Sequence, residues 1–118
     1  MTAGPILIKR VYDPPSPDDG QRVLVDRIWP RGVRREDAHL TDWLKDIAPS
    51  SDLRAWFGHD PARFEDFKAR YRKELDGNAD GVAALRALVG RGRTTLLYGA
   101  RDEAHNNAVV LADYLEKR

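Results

Sequence analysis

The chain has 118 residues, with 20 Lys and Arg against 19 Asp and Glu, a net charge of +1, and no cysteine. The length suits one domain over residues 1–118 that buries roughly two-thirds of its unfolded surface. The missing cysteine excludes disulfides, thiolate metal sites and a cysteine nucleophile, and the balanced charge does not predict bulk attraction to nucleic acid or membrane.

Residues Ile6–Tyr12 begin apolar and β-branched and read as a strand. Pro14, Pro15 and Pro17 stop it, because proline cannot donate to a ladder and restricts the residue before it. Ser16 followed by Pro17 is an N-cap with a first-turn proline, so one helical turn is expected in this connection. Val23–Trp29 is a second strand, ended by Pro30 and Gly32. Trp43, Leu44 and Ile47 share one face of a short helix that stops at Pro49. Ser50 or Ser51 caps the next helix, which carries Leu53, Trp56 and Phe57 and ends at Gly58. Asp60-Pro61 opens a longer helix with Phe64, Phe67, Tyr71 and Leu75 on one face, closed by Gly77. Val82, Leu85, Leu88 and Val89 mark another, closed by Gly90. Thr94–Tyr98 is a third strand. Asp102 is an expected N-cap for a last helix with Ala104, Ala108, Leu111, Ala112 and Leu115 on its apolar stripe.

Strands separated by helices predict an α/β fold with a short, mostly parallel three-stranded sheet packed by helices. The helical turn between the first two strands favours a parallel arrangement, with an antiparallel hairpin as the alternative. No apolar run approaches the roughly 18 residues of a membrane-spanning helix. Residues Met1–Pro5 lack the basic-then-apolar layout of a signal peptide, so a cytoplasmic protein is expected.

In a parallel sheet the C-terminal strand ends share one edge, where open α/β sheets bind ligands. Three sets of polar residues would gather there. The first strand brings Lys9, Arg10, Tyr12 and Asp13. The second brings Asp26, Arg27, Trp29 and Arg31. The third brings Tyr98, Arg101 and Asp102, with His105, Asn106 and Asn107 on the first turn of the last helix. Arginine presents a fork of donors suited to carboxylate or phosphate, and Trp29 offers a stacking face. The junction after Gly99 would expose backbone N–H groups at a helix start, which favours anions. The positive helix end would disfavour protonated His105 and suit it to base chemistry. An anionic or phosphate-bearing small molecule is therefore the expected ligand, bound by Arg27, Trp29, Arg31, Tyr98, Arg101, Asn106 and Asn107, with Asp26 or His105 for any proton transfer. No cofactor is specified.

Alternatives remain open. Arg27, Arg31, Arg34 and Arg35, with Arg91 and Arg93, could line a nucleic-acid stripe beside Trp29. The aromatic helices around Trp43 and Trp56 could instead leave an apolar patch for a partner. Glu74 faces near an apolar stripe and would pair with an edge arginine or with Arg70. The chain's histidines, His39, His59 and His105, show no paired ligand spacing, and no metal site is expected.

These residues carry a recognisable pattern. Lys9–Asp13, Arg22–Gly32, Trp43–Ser50, Leu53–Phe57, Arg70–Leu75, Thr95–Tyr98 and Asn107-Ala108, in that order, resemble the YeaO-like family of bacterial domains of unknown function over nearly the whole chain. The resemblance implies a small cytoplasmic α/β protein and supplies no activity. Longer relatives in the same superfamily are similar at Val25-Asp26-Arg27 and have a Cys-His-Arg helix start after a late strand. Asn106, Asn107 and Ala108 stand at that triplet here, and Tyr98 stands where a cysteine often lies. The resemblance thus implies that nucleophilic chemistry, where the relatives have it, is lost in this chain, leaving binding or acid–base chemistry.

Overall fold

A computed structural model describes residues 6–116. The segment 1–5, read above for a signal peptide, lies outside the described residues. The strands are β1 (Ile6–Arg10), β2 (Gln21–Leu24), β3 (Asp42–Trp43) and β4 (Thr94–Tyr98). The helices are α1 (Arg35–Ala38), α2 (Ser51–Phe57), α3 (Phe64–Asp76), α4 (Ala79–Val89) and α5 (Asn107–Glu116).

The sheet has four strands, not three, in the order β1-β4-β2-β3. Every pairing is parallel. A hairpin between β1 and β2 is therefore excluded, since β4 lies between them. The additional strand is β3, at the residues expected to start a helix. Leu24 and Trp43 pair, and the Leu44 amide donates to the Leu24 carbonyl at 3.0 Å. Tertiary pairing overrides the helical spacing of Trp43, Leu44 and Ile47, and only a single 3-10 turn, Lys45–Ile47, remains of it. The second strand also ends at Leu24 rather than Trp29.

Local signals hold well elsewhere. Ser16 and Asp19 form a reciprocal capping box around the turn Pro17–Asp19. Gly20 follows with φ +64°, and a Cβ there would lie 2.3 Å from the Arg93 carbonyl oxygen. Only glycine fits, and its neighbour Gln21 donates its amide to the same oxygen at 2.9 Å. Ser50 caps α2 through the Leu53 amide, and Gly58 ends it in the left-handed conformation. Asp60-Pro61 opens a 3-10 turn that runs into α3.

Strand alternation gives the sheet two different faces. Val23, Val25, Leu96 and Tyr98 point into the main core, with Phe57, Phe64, Phe67, Tyr71, Leu85 and Leu111 from the long helices. Leu24 and Leu97 point the other way, to a smaller cluster with Val11, Trp29, Val33, Leu40 and Trp43. That second face is covered by loops and α1, and it also holds charge. Asp19, 5% exposed, accepts from Lys9 Nζ at 3.0 Å and from Arg22 Nη1 at 2.5 Å. Desolvation works against the Asp19 carboxylate, but hydrogen bonds from Lys9, the Ser16 amide and Arg22 hold its pKa below the usual value.

Candidate functional site

β2 and β4 lie side by side, and the residues just past their C-terminal ends meet. The Val25 amide extends the pairing to Leu97 O at 3.1 Å, which delivers Asp26 opposite Gly99. The Gly99 amide donates to Asp26 Oδ2 at 2.8 Å. A Cβ on residue 99 would sit 3.3 Å from that oxygen, so glycine permits the close approach. The Asp26 carbonyl accepts from Trp43 Nε1 at 2.7 Å, which fixes the backbone as well. Burial pushes the Asp26 carboxyl above the usual carboxylate range, against hydrogen bonds from Gly99 and Asn107 and the charges of Arg54 and His59.

A cavity of about 240 Å³ opens beside this junction. Asp26, Arg27 and Ile28 form one wall, and Gly99, Ala100, Asn106 and Asn107 another. Ala48 and Pro49 meet Arg54, Phe57, His59 and Phe67 on the helical side. The rim at residues 47–50 is pinned from beneath. Tyr71 Oη donates to Ile47 O at 2.6 Å, and Arg27 donates to Ala48 O at 3.2 Å and Pro49 O at 3.4 Å. Tyr71 is fully buried, and burial raises its phenol pKa far above its usual value. Glu74 accepts from the Ser50 amide at 2.8 Å and the Ser50 hydroxyl at 2.6 Å. It pairs with neither an edge arginine nor Arg70.

The structure separates the expected site residues. Asp26, Arg27, Asn106 and Asn107 line the cavity. Trp29 does not. It belongs to the cluster on the opposite sheet face, donates its Nε1 to Val33 O at 2.7 Å, and packs edge-on against Trp43 at 5.3 Å. The Arg35 guanidinium covers its ring at 4.4 Å, where a stacked ligand was expected. Arg31 is exposed and offers its carbonyl to Tyr12 Oη at 2.8 Å. Arg101 is exposed and does not line the cavity. Tyr98 is 2% exposed and belongs to the core.

His105 is not on the first turn of α5, which begins at Asn107. Asp102 forms a turn of its own, accepting the amides of Ala104 at 2.9 Å and His105 at 3.0 Å. These bonds, led by the Ala104 amide and joined by the His105 ring, hold the Asp102 carboxyl below its usual pKa. The His105 ring lies 2.9 Å from Asp102 Oδ2 and edge-on to Phe64 at 5.0 Å, outside the cavity lining. The capping role expected of Asp102 passes to Asn106, whose Oδ1 accepts the Val109 amide at 3.0 Å. Asn106 Nδ2 donates to Asp102 O at 2.9 Å, and Asn107 Nδ2 to Val25 O at 3.1 Å.

Sequence reasoning missed Arg54 and His59. Both are exposed, and among the described residues neither side chain has a hydrogen-bond or ion-pair partner. His59 follows Gly58 in a second consecutive left-handed position, φ 57°, and its ring lies 6.3 Å from Phe57. Gly58-His59-Asp60-Pro61 marked a tight connection, but nothing in it showed that the end of α2 overhangs the sheet edge. Among the described residues, no three of His, Cys, Asp and Glu are grouped to hold a metal ion.

Several other cations are occupied. Arg34 pairs with Asp37 at 3.0 Å, Arg93 donates to Asp18 O at 3.2 Å, and Arg35 and Lys45 flank Trp43. Trp56 is likewise covered, by Arg63 and Arg70. No helix among the described residues is long and apolar enough to cross a membrane.

The family model described as the inactive DUF488-N3 subclade matches residues 5–118. An uncharacterised protein of Mycobacterium tuberculosis (strain H37Rv) is 48% identical over 113 residues, covering 96% of this chain and 95% of its own. The uncharacterised protein YeaO of Escherichia coli K12 is 41% identical over 110 residues, covering 93% and 96%. No solved structure matches significantly. The chain belongs to this family of YeaO-like bacterial domains of unknown function.

Proposed function

We propose that this member of the YeaO-like family is a binding protein for a small anionic molecule, held in the cavity at the C-terminal ends of β2 and β4. The observation that carries the reading is the charge of that cavity: Arg54 and His59 stand at its mouth without partners, Arg27 lies on its wall, and Asp26 is the only carboxylate in the lining. Arginine donors in a half-enclosed site attract carboxylate or phosphate more strongly than on an open surface. The position, just outside the carboxyl ends of adjacent parallel strands, is where open α/β sheets place ligands.

Binding without turnover is favoured over catalysis. The matching subclade is described as inactive. Asp26 remains a possible proton acceptor, but the cavity lining holds no serine or cysteine nucleophile. The nucleic-acid alternative is less favoured, because Arg34 and Arg35 of the arginine-rich stretch engage a carboxylate and tryptophan rings, Arg27 faces the cavity, and only Arg31 among these four is exposed without a side-chain partner among the described residues.

The test is a thermal-shift titration with inorganic phosphate and sulfate at constant ionic strength. A saturable rise in Tm is expected for the wild type and is lost in Arg54→Ala. An equal rise in both proteins would remove the anion from this cavity.

A further inference from the structure

The cavity has two ends of opposite character. The more buried part of the lining includes Asp26, half-buried, and Asn106, which is 2% exposed. At the mouth lie Arg54 and His59, both exposed. The same lining holds the apolar side chains of Phe57 and Phe67, both buried, and of Ile28, which is exposed. We propose that the ligand is a small organic acid carrying a hydrogen-bond donor at the end remote from its acid group, with the donor on Asp26 and the acid on Arg54 and His59. This rests on the anion-site reading and adds a second requirement to it.

The polarity of each end assigns the ligand's orientation. A carboxylate has about four lone-pair sites. Asp26 accepts the Gly99 amide, and the lone pairs that remain can be satisfied only by a donor. An acid group placed there would meet a like charge in a partly desolvated site. The same group at the mouth meets the Arg54 guanidinium and the His59 ring, whose hydrogen-bonding capacity is unspent.

Size and apolar lining argue for an organic body rather than an inorganic ion. The cavity of about 240 Å³ far exceeds the space one water needs, so it has room for a small organic body with its acid group at the opening. A bare phosphate leaves the Phe57 and Ile28 surfaces against water.

Matched acids test the donor separately from the charge. Para-aminobenzoate and para-methylbenzoate have the same number of non-hydrogen atoms and differ in one donor group. The meta isomers provide a second geometry. Each is titrated into the full chain, following the backbone amides of Gly99 and Asn107 by NMR.

For the wild type, at least one amino acid of the two isomers is expected to bind about tenfold more tightly than its methyl partner, the ratio that one hydrogen bond to a charged group confers. In Asp26→Asn, which keeps an acceptor for the Gly99 amide, that ratio falls to near one. In Arg54→Ala both acids weaken together.

Equal binding of amino and methyl acids to the wild type would overturn the donor requirement and leave the anion site standing, even should Asp26→Asn fail to fold. Binding of phosphate alone would do the same to the organic-acid class. If neither the acids nor phosphate shift these amides, both the donor requirement and the anion site fall.

Discussion

The two faces of the sheet are built from different materials. The face carrying Val23, Val25, Leu96 and Tyr98 is sealed by long helices and an aromatic series in which Phe57 and Phe67 stack at 4.3 Å. The face carrying Arg22, Leu24 and Leu97 is sealed by loops around a buried Lys9–Asp19–Arg22 triad and the Trp29–Trp43 pair. Helices supply enough apolar area for a core that needs no ions. Loops do not, and their backbone must be tied by side chains: Arg22 to Ala38 O, Lys9 to Pro14 O, Thr95 to Asp19 O, Trp29 to Val33 O. Arg35, which looked functional in the sequence, serves the loop-covered face by covering the Trp29 and Trp43 rings. The candidate site sits with the helices, where Arg54 and His59 have nothing structural to hold.

The comparison is broken most forcefully at Asp19. Asp19→Asn leaves Lys9 and Arg22 without their carboxylate, and Arg22 is 4% exposed with its Nη2 already lacking a hydrogen-bond partner. A loss of about 3–5 kcal/mol in urea unfolding is expected. A loss under about 1 kcal/mol would show that the loop-covered face does not depend on its ions. Phe67→Ala, on the helical face, should cost a similar amount, about 3–5 kcal/mol, through the cavity it leaves.

Acid separates these two large effects. The folded pKa of Asp19 lies below its ordinary value of 3.8. Its contribution is therefore complete above that value and is lost as pH falls through the folded pKa. Wild type and Phe67→Ala should lose this increment together in acid, whereas Asp19→Asn lacks it at every pH. The gap between wild type and Asp19→Asn should narrow below about pH 4, and a gap that stays constant would deny the carboxylate its role. Asp26, whose pKa is raised by burial, has the opposite sign. Its protonated form is favoured by folding, so it adds stability below its ordinary pKa that fades as pH rises through the folded value.

Smaller effects refine the picture at the rim and surface. Ser50→Ala removes the α2 cap and the hydroxyl that donates to Glu74, for a cost of about 1–2 kcal/mol. It should also loosen the cavity rim, seen as faster amide exchange at Leu53. Arg34→Ala breaks only exposed pairs with Glu36 and Asp37 and should change stability by less than about 0.5 kcal/mol. A larger change would mean that surface charge, and not only the buried triad, holds this face.

Much of the local structure was legible in the sequence because it depends on neighbours along the chain. Thr94–Tyr98 reads as a strand from its own composition, and Ser16-Pro17, Ser50, Gly58, Asp60-Pro61 and Gly77 mark turns and caps whose partners lie within a few residues. Part of the candidate site was legible too, since Asp26, Arg27, Asn106 and Asn107 lie close after strands or at the start of a helix. The family likeness was carried by the same segments. Tertiary structure alone decided that Trp43 joins a strand, because its pairing partner Leu24 is far away in sequence. It alone decided that Trp29 and Asp26, close together in the chain, serve opposite faces of the sheet, and that Arg54 and His59 reach its edge. Side-chain chemistry is fixed residue by residue, but which groups share a cavity depends on how α2 packs relative to the residues that follow β2 and β4. That packing is set between residues that no local pattern connects.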